Sequence, residues 1–110
     1  MNDEYIDIDS AVKRVGGNMG LYKRLLGRFV DGNNFTPLEE ALKNGKLEEA
    51  EHLAHTLKGV SSNLSLNKVA SLSTDLDLLL KNGGDYSGCI AELEEAYAIT
   101  IGKISELLAV

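Results

Sequence analysis

A chain of 110 residues with a formal net charge of -6, 44% hydrophobic and 25% charged, has the size and composition of one folded domain. It is too short for two sizeable cores and too apolar for intrinsic disorder. The acidic balance, with no Lys/Arg block carrying interleaved aromatics, argues against nucleic-acid binding.

The single cysteine, Cys89, excludes an intrachain disulfide and a cysteine-rich zinc site, and fits a reducing compartment. The N-terminal Met-Asn-Asp-Glu-Tyr-Ile-Asp lacks the basic and apolar regions of a signal peptide. No apolar run approaches the ~20 residues that span a bilayer. The expectation is a soluble cytoplasmic protein with no membrane contact, one domain over residues 1–110, monomeric by default. Aromatics make up 5% of residues and Trp is absent, so the core is expected to be aliphatic, as in helical bundles.

Glycines and Asn-Gly pairs divide the chain into helical blocks, and nothing alternates with period two over a useful length. A short first helix, capped by Asp9 or Ser10, carries Val12 and Val15 and stops at Gly16-Gly17. A second follows Asn18, places Leu21, Leu25, Leu26, Phe29 and Val30 on one stripe despite Gly27, and ends by Gly32. Thr36-Pro37-Leu38-Glu39 reads as a capping box with proline at the first helical position; that helix ends at Asn44-Gly45. A fourth block runs from about Leu47 to Leu64. A fifth runs from about Asn67 to Leu80 with Val69, Leu72, Leu76, Leu79 and Leu80, closing at Asn82-Gly83-Gly84. The sixth starts after Asp85 or Ser87 and carries Ile90, Leu93, Tyr97, Ile101, Ile104 and Leu108. With short connections throughout, the pattern predicts an all-α protein, an antiparallel up-and-down four-helix bundle with a short N-terminal capping helix.

The fourth block holds the candidate site. At about 100° per residue Leu53, Leu57, Val60 and Leu64 fall together, flanked by Ala50, Ala54 and Ser61. His55 falls on the opposite side, among Glu48, Glu51, His52, Lys58, Gly59 and Ser62. His55, Lys58 and Gly59 at i, i+3 and i+4 share one face. Glycine inside a helix costs roughly 1 kcal/mol relative to Ala, so its place there asks for a reason. A neutral imidazole is a competent nucleophile near neutral pH. A phosphoryl group on it would carry negative charge that the Lys58 ammonium could meet. Gly59 and Ser62 would leave room for a second protein to approach.

Other readings are open on the residues alone. An exposed histidine on a polar helix face is commonly inert. His52 and His55 with Glu48 and Glu51 could ligate a metal, but Lys58 would sit badly beside a cation and no further histidine completes a set, so no metal site is assigned. There is no Walker-type loop, no G-x-S-x-G element and no Cys-His pair at suggestive spacing.

The segment His55-Thr56-Leu57-Lys58-Gly59-Val60-Ser61-Ser62-Asn63-Leu64 resembles the phosphoacceptor segment of histidine-containing phosphotransfer (HPt) domains, roughly A-H-x-L-K-G-x-x-x-N-L-G. Ile8-Asp9, Ala11 and Gly16-Gly17-Asn18 resemble that family's opening helix, and residues 6–109 align loosely. Ser65 stands where the family commonly has Gly, and Asn44-Gly45-Lys46 replaces a turn that more often ends in Asp.

The resemblance implies a phosphorelay intermediate without autokinase activity. His55 would accept a phosphoryl group from a receiver-domain aspartyl phosphate and pass it to the aspartate of another receiver. Lys58 would stabilise the phosphoryl group, and His52, Glu51, Gly59 and Ser62 would form the docking rim. The implied partners are receiver domains of response regulators and a hybrid sensor histidine kinase. The chain would carry no cofactor of its own, Mg²⁺ being expected in the receiver. The alternative is a non-phosphorylated helical adaptor that regulates a receiver or kinase by binding.

Overall fold

Left-handed residues and local hydrogen bonds set the helix ends, and through them the fold. The structure, a computed structural model, describes residues 2–110. It contains α1 (Ile8–Arg14), α2 (Met19–Gly32), α3 (Thr36–Lys43), α4 (Leu47–Asn63), α5 (Asn67–Lys81) and α6 (Ser87–Leu108). Among the described residues there is no strand, only an isolated bridge between Asn2 and Asp7. No helix of the structure is long and apolar enough to cross a membrane.

Four helices end in the same paired closure. The amide of the third residue beyond the helix reaches back to the carbonyl five residues earlier: Gly17 to Val12 at 2.8 Å, Lys46 to Ala41, Leu66 to Ser61 and Gly84 to Leu79 at 2.9 Å each. This geometry needs a left-handed residue one position earlier, normally glycine. Gly16, Gly45 and Gly83 supply it, with φ near 70°. After α4 the position is held by Ser65, at φ 54°. The departure from glycine noted in the sequence therefore falls on a backbone conformation that favours glycine, where an L side chain costs roughly 1–2 kcal/mol. A partly buried hydrogen bond offsets part of that. Arg14 Nη1 donates to Ser65 Oγ at 2.8 Å and to the Ser62 and Asn63 carbonyls at 2.7 and 3.2 Å. One guanidinium thus satisfies the open carbonyl end of α4 and ties α1 to it.

Two starts differ from expectation. Asp7, not Asp9 or Ser10, caps α1, accepting from the Ser10 amide at 3.1 Å. The capping box at α3 does not form: Thr36 lies inside the helix, and its amide and hydroxyl both donate to Asn33 Oδ1, at 3.3 and 3.1 Å. Asn33, itself left-handed at φ 42°, ends α2 and opens α3. Asn18 caps α2 as expected, and Gly27 does not interrupt that helix.

Helices α3, α4, α5 and α6 pack in sequence, and α2 closes the arrangement on α6. Early α2 meets the end of α6 (Lys23 to Val110), while late α2 meets its middle (Phe29 to Tyr97), so the two run antiparallel. The all-helical bundle with α1 as its cap agrees with the sequence pattern. Tyr22, Leu26, Leu38, Leu57, Leu66, Leu76, Leu93 and Ile104 are buried to within 2% exposure, each worth ~1.5–3 kcal/mol of apolar transfer for the aliphatic members. Leu108, placed on the α6 stripe by periodicity, is exposed instead. Tyr97 packs against Phe29 and Phe35 in tilted pairs, with ring centroids 5.5 Å apart in each. The Tyr22 hydroxyl donates to the Leu64 carbonyl at 2.8 Å, a second tie on the end of α4, and burial pushes that phenol up to about 12.

If Arg14 offsets the strain at Ser65, the two positions are coupled. Arg14→Ala should cost ~1–3 kcal/mol in urea unfolding. Ser65→Gly should then recover ~1 kcal/mol in the Arg14→Ala background, and less in the parent. Equal effects in both backgrounds would show that the hydrogen bond does not compensate the backbone.

Candidate functional site

The register between α4 and α5 brings the site together. Helix α4 turns Ala50, Ala54, Leu57 and Ser61 fully inward, while Leu53 and Val60 are only half-buried. The core stripe is therefore rotated toward Ala54 and Ser61, the side that faces α5, relative to the stripe expected from periodicity. His55 consequently sits beside α5 rather than diametrically opposite the core. Its side chain is 66% exposed, yet Nδ1 lies 3.5 Å from Oδ2 of Asp77, whose side chain is 6% exposed. The same carboxylate oxygen is 3.3 Å from Nζ of Lys81, one turn further along α5.

Glu48, Glu51, His52 and His55 of α4 line a shallow groove with Asp77 and Lys81 of α5. The candidate rim residues thus divide. Glu51 and His52 join His55 in this groove, whereas Gly59 and Ser62 are exposed one and two turns onward. Lys58 is half-buried and forms no ion pair among the described residues. No group of three or more His, Cys, Asp or Glu that could hold a metal ion occurs among the described residues.

Asp77 and Lys81 were not among the residues singled out from sequence. The signal for Asp77 was available. Val69, Leu72, Ser73 and Leu76 define the buried register of α5, and Asp77 continues it. An acidic residue in a core register is uncommon without a partner. Its partner lies on another helix, at a separation that periodicity within α5 does not reveal.

A second groove borders the other flank of α4. Val15, Leu25, Phe29 and Val60 form its apolar lining, and Arg14 and Arg28 add positive charge. It does not include His55. Cys89 is not a nucleophile candidate: its thiol lies 3.5 Å from the Leu72 carbonyl, and burial, with Asp75 and Glu92 nearby, pushes its ionisation up.

A side chain added at Gly59 would meet nothing within 4 Å, so packing does not require the glycine. The same holds at Gly27, Gly88 and Gly102, so a helical glycine is not peculiar to α4. What distinguishes Gly59 is its place one turn from an exposed imidazole. Gly59→Ala should accordingly raise stability by ~0.5–1 kcal/mol through helix propensity alone. A lower urea midpoint would show that the fold itself needs glycine there.

Among known protein families, the Hpt domain matches residues 33–108, which spans α3 to α6 and leaves α1 and α2 outside the matched segment. Comparison with curated proteins and with solved structures gives no match. The match covers well over half of the chain and includes the α4–α5 pair that carries His55. The chain belongs to the Hpt family, and histidine phosphotransfer within a phosphorelay, in exchange with receiver domains, is the function that membership implies.

Proposed function

We propose that His55 is the phosphoacceptor, taking a phosphoryl group from the aspartyl phosphate of one receiver domain and giving it to the aspartate of another. The observation that carries this reading is the exposed imidazole of His55, presented from the middle of a buried-faced helix. His52 is the only other histidine, and it lies near the start of the same face. A helical mount keeps the imidazole in one orientation while the receiver closes over it, so little ordering remains to be done on docking.

The neighbouring residues suit such an approach. Lys58 has no competing partner among the described residues and can turn its ammonium toward phosphoryl oxygens. Gly59 and Ser62 leave the turns beyond His55 low. Glu51 and His52 flank the histidine on its N-terminal side. The arginine-edged groove on the far flank of α4 offers apolar surface and positive charge to an acidic partner. In this reading the Mg²⁺ that neutralises charge during transfer belongs to the receiver. His55 supplies the nucleophile, and the receiver supplies the acidic pocket and its metal.

Incubation with a phosphorylated receiver should label the protein with acid-labile, base-stable phosphate. His55→Gln should abolish the label and His52→Gln should retain it; a labelled His55→Gln protein refutes the assignment and points to His52, whereas full relay function from an unlabelled His55→Gln protein favours the binding-only adaptor. Lys58→Ala should shorten the lifetime of the phosphorylated protein about fivefold, the kinetic equivalent of ~1 kcal/mol for one exposed charge contact. An unchanged lifetime would remove Lys58 from the site.

A further inference from the structure

Helix α2 packs on α6 and α1, and α4 on α3 and α5, which leaves a cleft open between α2 and α4. The two helices are tied where the Tyr22 hydroxyl and the Arg14 guanidinium, from α1, reach the carbonyls at the end of α4. The cleft holds about 580 Å³, within the ~300–1,000 Å³ of small-molecule sites. Val15, Leu25, Phe29, Val60 and Leu64 give it an apolar lining. Phe29 and Leu64 are themselves buried, so its floor is part of the core. The lining runs over two turns of α2, Leu25 to Gly32, and little more than one of α4, Val60 to Leu64. At 1.5 Å per residue that is roughly 6–10 Å, long enough to seat a ring or a short acyl chain and short for a docked helix.

The charge of the cleft has one sign. Arg14 and Arg28 stand at its rim, and none of its described lining residues is acidic. From Ser10 to Val30 the chain carries Lys13, Arg14, Lys23, Arg24 and Arg28 and no Asp or Glu, although its net charge is -6. An anion is therefore drawn to this flank and repelled from much of the remaining surface. Arg14 Nη1 is committed to the end of α4, whereas Arg28 is exposed and makes no ion pair among the described residues. A free guanidinium fork at the mouth of an apolar cleft matches a carboxylate whose apolar body enters the cleft.

We propose that the α2–α4 cleft binds a small amphipathic carboxylate, an acyl or aromatic acid whose carboxylate meets Arg28 and whose apolar body lies on Val15, Leu25, Phe29 and Val60. His55 lies outside the cleft, so the site stands whether or not that histidine is the phosphoacceptor. A carboxylate alone would gain only an exposed ion pair, and an apolar molecule alone would leave the rim charge without a partner. Only a ligand with both parts answers both features. A bound acid would cover the apolar surface and neutralise the charge that this groove offers an acidic protein, so the two exclude one another there.

Methyl ¹H–¹³C spectra of the full chain, titrated with decanoate below its micelle concentration, read the site directly. Decanoate should shift the Val15, Leu25 and Val60 methyls saturably, with a Kd at or below ~1 mM. Acetate has the charge without the chain, and decyltrimethylammonium has the chain with the opposite charge; neither should move these methyls over the same range. Arg28→Gln, at an exposed position without an ion pair, should keep the fold and weaken decanoate binding about fivefold. Absent or unsaturable shifts, equal shifts from either control compound, or a parental Kd in Arg28→Gln overturns the proposal. Should the variant fail to fold, the two control compounds on the parent protein decide. Shifts of these methyls by a phosphorylated receiver but not by decanoate would assign the cleft to a protein partner and refute the small-acid site.

Discussion

The turn between α4 and α5 is the constraint on which the site depends. Three residues reverse the chain there, and the reversal works because Ser65 accepts a left-handed backbone that closes the Leu66–Ser61 hydrogen bond. Arg14 from α1 and Tyr22 from α2 both bind the carbonyls at that end of α4. Anchored in this way, the two helices share one register along their length. That register sets Asp77 against His55, some three turns from the turn that determines it. A slip of one residue in either helix would rotate the facing side chains by about 100° and part them.

Ser65 shows how the anchoring can persist without the usual glycine. The backbone strain is local, while the compensating bonds come from a distant part of the sequence. The first helix is therefore more than a lid on the bundle. Its last residue adds a side-chain cap to the backbone closure of α4, donating to the carbonyls of Ser62 and Asn63. This coupling also places an arginine at the edge of the groove beside α4.

Electrostatics around the histidine come from two helices. Lys58 follows His55 on α4 and has no partner among the described residues, whereas Lys81 on α5 is held by Asp77. The two lysines thus differ in readiness: one is free to meet a new anion, and the other is already engaged with a fixed one. In a chain whose net charge is -6, Lys58 and Lys81 stand among Glu48, Glu51 and Asp77, so the face around His55 carries both signs of charge. In the proposed relay, that mixture suits transient docking, in which neither partner is held too tightly.

The helices and their order were legible because hydrophobic period and turn residues are local signals: α2, α3, α5 and α6 start or stop at Asn18, Asn44-Gly45, Asn82-Gly83 and Asp85-Ser87 as their chemistry requires. His55, Lys58 and Gly59 were legible as a group because i, i+3 and i+4 spacing survives in any helix. The α3 box was misread because Thr36 had two possible partners, and Asn33, three residues earlier, wins both its amide and its hydroxyl. The rotation of the α4 core stripe toward Ala54 and Ser61 was not legible, since periodicity gives a face but not the neighbour that covers it. By itself, the sequence determined an all-helical bundle and the helical face that carries the histidine. Only the tertiary structure decided that Asp77 stands behind the imidazole and Arg14 behind Ser65, because both contacts join residues far apart in the chain whose meeting depends on the register of packed helices.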